Sequence, residues 1–169
     1  TEREMGEARK KAEDLTRELG LDVEFLDDPS GFEGKKARAK GWYDPKTGKI
    51  HVVMGNHSGV SDVMATMLHE GVAHHGLRKL FGDDFNTFLD NVYSNVDEDI
   101  TTAIDAKIGK LRAADERAGE THSDDYYRRA ATEKYLADLA EDGLYNAEKH
   151  SNMVTKAWQY IKEAFIDML

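Results

Sequence analysis

Cysteine is absent from the 169 residues. That excludes a disulfide framework, thiolate zinc sites, iron–sulfur clusters and a cysteine nucleophile. Proline is scarce: Pro29 and Pro45 are the two, both in the first third, so no proline breaks a helix in the rest. No apolar run approaches the roughly 18 residues that a membrane helix needs, and no signal-peptide pattern is visible. Positive charge is in deficit, with 23 Lys and Arg against 33 Asp and Glu and a net charge of −10. An acidic surface argues against nucleic acid and anionic membrane as partners. What is present, 40% hydrophobic and 33% charged residues, suits a folded domain with a core of its own. The sequence starts at Thr1 rather than Met and reads as one domain, 1–169, excised from a larger polypeptide. A cytoplasmic location, with delivery into a recipient or host cell as a variant, is the accompanying expectation.

Hydrophobic periodicity sets the expected layout. Met5, Ala8, Ala12, Leu15 and Leu19 recur at helical steps over 2–19, and Gly20 suits the cap. Residues 22–26, 37–43 and 49–54 read as strands, with turns at Asp28-Pro29-Ser30-Gly31 and Asp44-Pro45-Lys46-Thr47-Gly48. A long helix is expected from Ser61 to about Leu80, then helices over 84–94, 97–117, 124–141 (ended by Asp142-Gly143) and 145–168. The fold class expected is α+β: mostly helical, with a small antiparallel sheet and a metal-binding central helix.

The chemistry concentrates in Leu68-His69-Glu70-Gly71-Val72-Ala73-His74-His75-Gly76, where three of the seven histidines fall within seven residues. In the zincin signature two histidines four apart on a helix bind zinc, and the Glu after the first is the general base. Here residue 73 is Ala, and the next histidines come five and six residues after His69. At about 100° per residue, a five-residue step separates side chains by about 140° on a straight α-helix, too far to chelate one ion. A single π-type turn absorbs one extra residue, and Gly71 makes it easy to accept. His69 and His74 are therefore the expected pair, with His75 a poorer second ligand because it needs two extra residues. A catalytic zinc takes three protein ligands. Glu133, beside Leu136 and Ala137 on an expected helix, is the best third candidate, since a carboxylate against an apolar face is costly unless paired or metal-bound. Asp138 is placed to support a ligand histidine. Zinc is favoured by the two-His, one-carboxylate set, which iron and manganese also use.

The segments Gly41-Trp42-Tyr43-Asp44 with Gly48-Lys49-Ile50-His51-Val52, Ala65-Thr66-Met67-Leu68-His69-Glu70, His74-His75-Gly76-Leu77-Arg78 and Ala131-Thr132-Glu133 with Leu136-Ala137 resemble the zincin-like metallopeptidase domains embedded in large polyvalent proteins of phages and conjugative elements. The resemblance spans roughly residues 40–140. The five-residue histidine step with the later Glu133 also looks like the metal motifs of the third-type dipeptidyl peptidases, which usually carry a second acid where Thr132 stands here. These likenesses imply His69, His74 and Glu133 as zinc ligands and Glu70 as the base.

The function expected is zinc-dependent peptide-bond hydrolysis. Zinc polarises the carbonyl and acidifies its water, and Glu70 moves the proton to the leaving amine. Tyr93, His122, Tyr126 and Tyr127 are candidate oxyanion stabilisers. An extended peptide is expected to pair with a free edge of the 37–54 hairpin. Its expected source is a host protein, a defence factor or another domain of the parent polypeptide. An effector peptidase with an immunity partner, a degenerate zincin acting as a scaffold, and a metal hydrolase acting on other amides are the alternatives. Other histidines (His51, His57, His122, His150) read as structural, and the Trp158–Phe165 stripe as core.

Overall fold

A computed structural model describes residues 2–28 and 39–169. The turn expected at Pro29–Gly31 and the first two residues of the strand expected at 37 lie outside the described residues. Helix α1 (Glu2–Leu19) buries Ala8, Ala12, Thr16 and Leu19 along one stripe, and Gly20, at φ 73°, ends it. Three strands follow, β1 (Val23–Leu26), β2 (Gly41–Asp44) and β3 (Lys49–Val53).

The sheet order is β1-β3-β2. β2 and β3 form the expected antiparallel hairpin, with Gly41 opposite Val52 and Asp44 opposite Lys49. Gly48, at φ 75°, supplies the left-handed residue of its turn, and its N–H donates to the Asp44 carbonyl at 2.7 Å. β1, however, runs parallel to β3, so the sheet is mixed rather than antiparallel. Leu26 at the end of β1 lies beside Val53, and Gly41 at the start of β2 lies beside Val52. The chain therefore leaves β1 and enters β2 at the same end of the sheet, on opposite sides of β3. Among the described residues β2 lies at one edge of the sheet.

Behind the sheet lies α2 (Val60–Leu68), whose Val63, Ala65, Thr66, Met67 and Leu68 are buried. His57 fastens the two layers. Its Nδ1 donates to the Val53 carbonyl at 2.6 Å, and its Nε2 accepts from the Thr66 hydroxyl at 2.9 Å. A carbonyl can only accept, which fixes that tautomer. Burial holds the imidazole neutral by lowering its pKa. Asp62, also buried, takes Lys40 at 2.6 Å and the Ser58 N–H at 3.1 Å.

The long helix expected over 61–80 is interrupted. After α2 come a π turn (His69–Ala73) and a short α3 (Gly76–Phe81). Helices α4 (Phe85–Asn95), α5 (Glu98–Arg117), α6 (Asp124–Tyr145) and α7 (Ser151–Asp167) complete the chain. α6 does not stop at Gly143. A Cβ there would lie 2.7 Å from Val154 Cγ2, so this glycine admits α7 rather than ending α6. The last helix accordingly starts at Ser151 rather than at 145. Trp158 on α7 is buried and donates its indole N–H to the Met64 carbonyl at 3.0 Å. One core runs from Ala8 to Ala164 and joins every helix layer to the sheet. The class is α+β and mostly helical. Among the described residues no helix is long and apolar enough to cross a membrane.

Gly41 sits where β2 crosses α2. A Cβ there would lie 2.6 Å from the His51 carbonyl and 2.8 Å from Thr66 Cγ2. Because one obstacle is backbone of the central strand, Gly41→Ala should destabilise the domain by about 1–3 kcal/mol, read as a lower urea midpoint with unchanged slope.

Candidate metal centre

The π turn is what brings the histidines together. His74 N–H reaches the His69 carbonyl at 3.4 Å, a step of five residues. His69 Nε2 and His74 Nε2 then face each other at 3.0 Å, with the rings at 69°. Two unprotonated ring nitrogens repel at that distance, so in the metal-free protein one of them carries a proton. Around a tetrahedral zinc with Zn–N of about 2.0–2.1 Å, two such nitrogens sit roughly 3.3 Å apart. The observed spacing is close to that, and the donor set suits the ion. Glu70 belongs to the same group: one carboxylate oxygen of Glu70 and one ring nitrogen each of His69 and His74 lie within 4.8 Å of one another.

The immediate surroundings are dry on one side. Glu70 is 6% exposed, and burial alone pushes its carboxyl up to about 7. Burial also lowers the pKa of His69, and His74 lowers it further, against an opposing pull from Glu141 on α6. His69 Nδ1 is buried without a hydrogen-bond partner among the described residues. On the other side the site opens to a cleft of about 800 Å³ between β2 and α3, whose walls include Tyr43, His74, His75 and Arg78. His75 is the one non-glycine among the described residues with positive φ, 69°. It turns the chain so that Gly76 can pass close to Gly71, where a Cβ would lie only 3.1 Å from Gly71 Cα.

The other predicted residues are placed elsewhere or otherwise engaged. Glu133 is not brought into the His69–Glu70–His74 group. Arg78 Nη2 donates to both of its oxygens at 2.8 Å, and Arg78 in turn lies over the Phe85 ring. Asp138 does not support a ligand histidine; it takes Lys107 at 2.8 Å and Lys134 at 3.6 Å. The four candidate oxyanion donors do not line the cleft. Tyr93 donates to Asp105, while Tyr127 and His122 both donate to Asp115 at the α5–α6 connection, where His122 stacks on Tyr126. Tyr43 and Glu141 are the site-facing residues that the sequence reading missed. Tyr43 lies in a quoted segment but carried no chemical pattern of its own, and Glu141 is eight positions beyond Glu133 on the same helix. The chain matches no protein-family model, no curated protein and no solved structure.

Glu70 makes the metal-free protein pH-sensitive. Its folded pKa lies above the ordinary 4.5, so the unfolded chain loses this proton first as pH rises. Folding stability therefore falls between about pH 4.5 and 7 and levels off above, by about 3 kcal/mol from this group. In chelator-treated protein, Glu70→Gln should match wild type near pH 4 and exceed it in stability at pH 8, as measured by urea denaturation.

Proposed function

We propose that the chain is a zinc-dependent peptidase domain of zincin type, with His69 and His74 as metal ligands and Glu70 as general base. The observation that carries this reading is the convergence of the two Nε2 atoms at 3.0 Å beside a buried carboxylate. Zinc, when bound, would polarise the scissile carbonyl and make water a nucleophile near neutral pH. Glu70 accepts the proton of the attacking water and delivers it to the leaving amine. Burial raises its pKa to about 7 in the metal-free protein, and a bound cation would favour the carboxylate that a base requires. The buried wall around Glu70 excludes competing water. An extended peptide would lie against the β2–β3 hairpin, whose Tyr43 and Pro45 line the cleft. Tyr43, which lines the cleft together with His74, is our candidate for stabilising the oxyanion. The resemblance to the metallopeptidase domains of polyvalent phage and conjugative-element proteins supports the same reading, with a host protein or a sibling domain as substrate.

The third ligand is a carboxylate of α6. Glu133 is the residue the resemblance implies, and it must leave Arg78 to serve. Glu141 already acts on His69 through its charge. The Arg78–Glu133 pair favours a second reading, a degenerate zincin that serves as a scaffold.

Elemental analysis of protein purified without chelator or metal-affinity resin separates these. Wild type and Glu70→Gln should carry about one zinc per chain, and His74→Ala should carry none. A peptide library should be cut by wild type and not by Glu70→Gln. Hydrolysis by Glu70→Gln would sink the role of Glu70, and a wild type that takes up no zinc would leave the scaffold. In zinc titrations, substitution of the true third ligand by Gln, at Glu133 or Glu141, should weaken affinity by at least about 10-fold, and the other should not.

A further inference from the structure

The protein carries a net charge of −10, yet the cleft beside the candidate metal centre has no acid on its described walls. Its polar walls are Tyr43, His74, His75, Arg78 and Lys79. The adjacent acid in the sequence, Asp44, is turned into the hairpin, where it accepts from the Lys46 N–H at 2.9 Å. The donors on the walls are under-used. The Tyr43 hydroxyl, the His75 ring and the Lys79 ammonium make no hydrogen bond or ion pair among the described residues. Arg78 donates to Glu133 through Nη2 alone, which leaves its Nε and Nη1 uncommitted.

Both cations are also held in place. The Lys79 stem lies along the hairpin turn, since a Cβ on Gly48 would meet Lys79 Cγ at 3.3 Å and Cε at 3.7 Å. Arg78 is fixed by Glu133 on one side and by the Phe85 ring, 4.5 Å from its guanidinium carbon, on the other. Side chains already ordered in the free protein lose less entropy when a ligand arrives. The cleft, at about 800 Å³, has the size of a small-ligand site. Two positioned cations and several unused donors, with no described acceptor opposite them, leave it short of negative charge and of hydrogen-bond acceptors. A carboxylate supplies both.

We infer that this cleft is a carboxylate-binding site, in which Lys79 and Arg78 hold the anion and Tyr43 and His75 donate neutral hydrogen bonds to it. The carboxylate is that of a peptide, from its chain end or from an acidic side chain, and the experiment separates the two sources. The inference goes beyond the peptidase reading and does not depend on it, because none of these four residues is a proposed metal ligand. His74 shares the cleft wall, so the bound anion lies beside the candidate metal centre. Exposed charge pairs each contribute about 2- to 5-fold in affinity, and the two cations together about 10-fold.

The test uses full-length Glu70→Gln protein, as purified, titrated with short N-acetylated alanine peptides and followed by amide chemical shifts. One peptide ends in a free carboxylate and one in an amide. A third also ends in an amide but carries a single internal glutamate. At least one of the two acidic peptides should bind about 10-fold tighter than the neutral one and move Tyr43, His75 and Lys79. Tighter binding of the free acid assigns the site to a chain end, tighter binding of the glutamate peptide assigns it to a side chain, and equal binding of those two assigns it to either. Lys79→Glu should remove the preference. Lys10→Glu, the same charge change at an exposed position of α1, should leave it intact. Binding of the neutral peptide as tight as that of the acids, binding of none, or shifts confined to another face would overturn the inference. So would loss of the preference in chelator-treated protein, which would assign the carboxylate to a bound metal. Those results would leave zinc content and library cleavage untouched, so the two proposals fail separately.

Discussion

One extra residue in one helical turn organises this molecule. If α2 continued as a plain α-helix through position 74, His69 and His74 would point about 140° apart. The π turn at His69–Ala73 costs helical hydrogen-bond geometry and brings both imidazoles to one side. That distortion has to be held from outside. Gly76 is pressed on the π turn's backbone, His75 accepts a left-handed conformation to let it get there, and α6 covers the opposite face. The sheet fixes the other end of the assembly, because His57 joins the end of β3 to Thr66 on α2.

The same architecture explains why Glu70 is both costly and chemically useful. It follows His69 on the π turn, and its side chain is turned inward, under Gly41 of β2. Burial there favours the neutral acid. No cation among the described residues is positioned to offset that burial. The nearby guanidinium, Arg78, is occupied by Glu133. That pairing keeps one potential acid away from the histidines and one potential base-stabilising cation away from Glu70.

Local patterning carried most of the helices and the histidine pair, because both depend on spacing along the chain. The five-residue step from His69 to His74 demanded a π turn by angle alone, and Gly71 made one acceptable. What spacing cannot express is partnership across the chain. The alternation of Val23 and Phe25 marks a strand but has no direction, so the parallel pairing of β1 with β3 was invisible. Arg78 and Glu133 are 55 positions apart, and nothing in either segment announces the other. Gly143 looks like a helix stop in one dimension and is a gap for Val154 in three. Tyr93, His122, Tyr126 and Tyr127 have suitable chemistry, but they are placed by the α5–α6 hairpin rather than by the cleft.

Across most of the chain, local preference and tertiary environment agree: helix stripes are apolar where buried, turns carry Gly or Asp, and buried polar groups such as His57 and Asp62 are hydrogen-bonded. The violations are concentrated between His69 and His75. Within those seven residues lie a buried carboxylic acid with a raised pKa, a buried ring nitrogen without a partner among the described residues, two imidazole nitrogens that must share one proton at 3.0 Å, a π turn, and a histidine in the left-handed region. A sequence optimised for folding alone would remove each of them with one substitution, such as Gln at position 70 or Gly at position 75. Strain gathered in one place, beside an open cleft, is what a site demands and a core does not. A cation between the two Nε2 atoms would replace that shared proton and favour the ionised form of Glu70. A bound cation would offset the cost of this segment, and that cost is the physical reason to look for one.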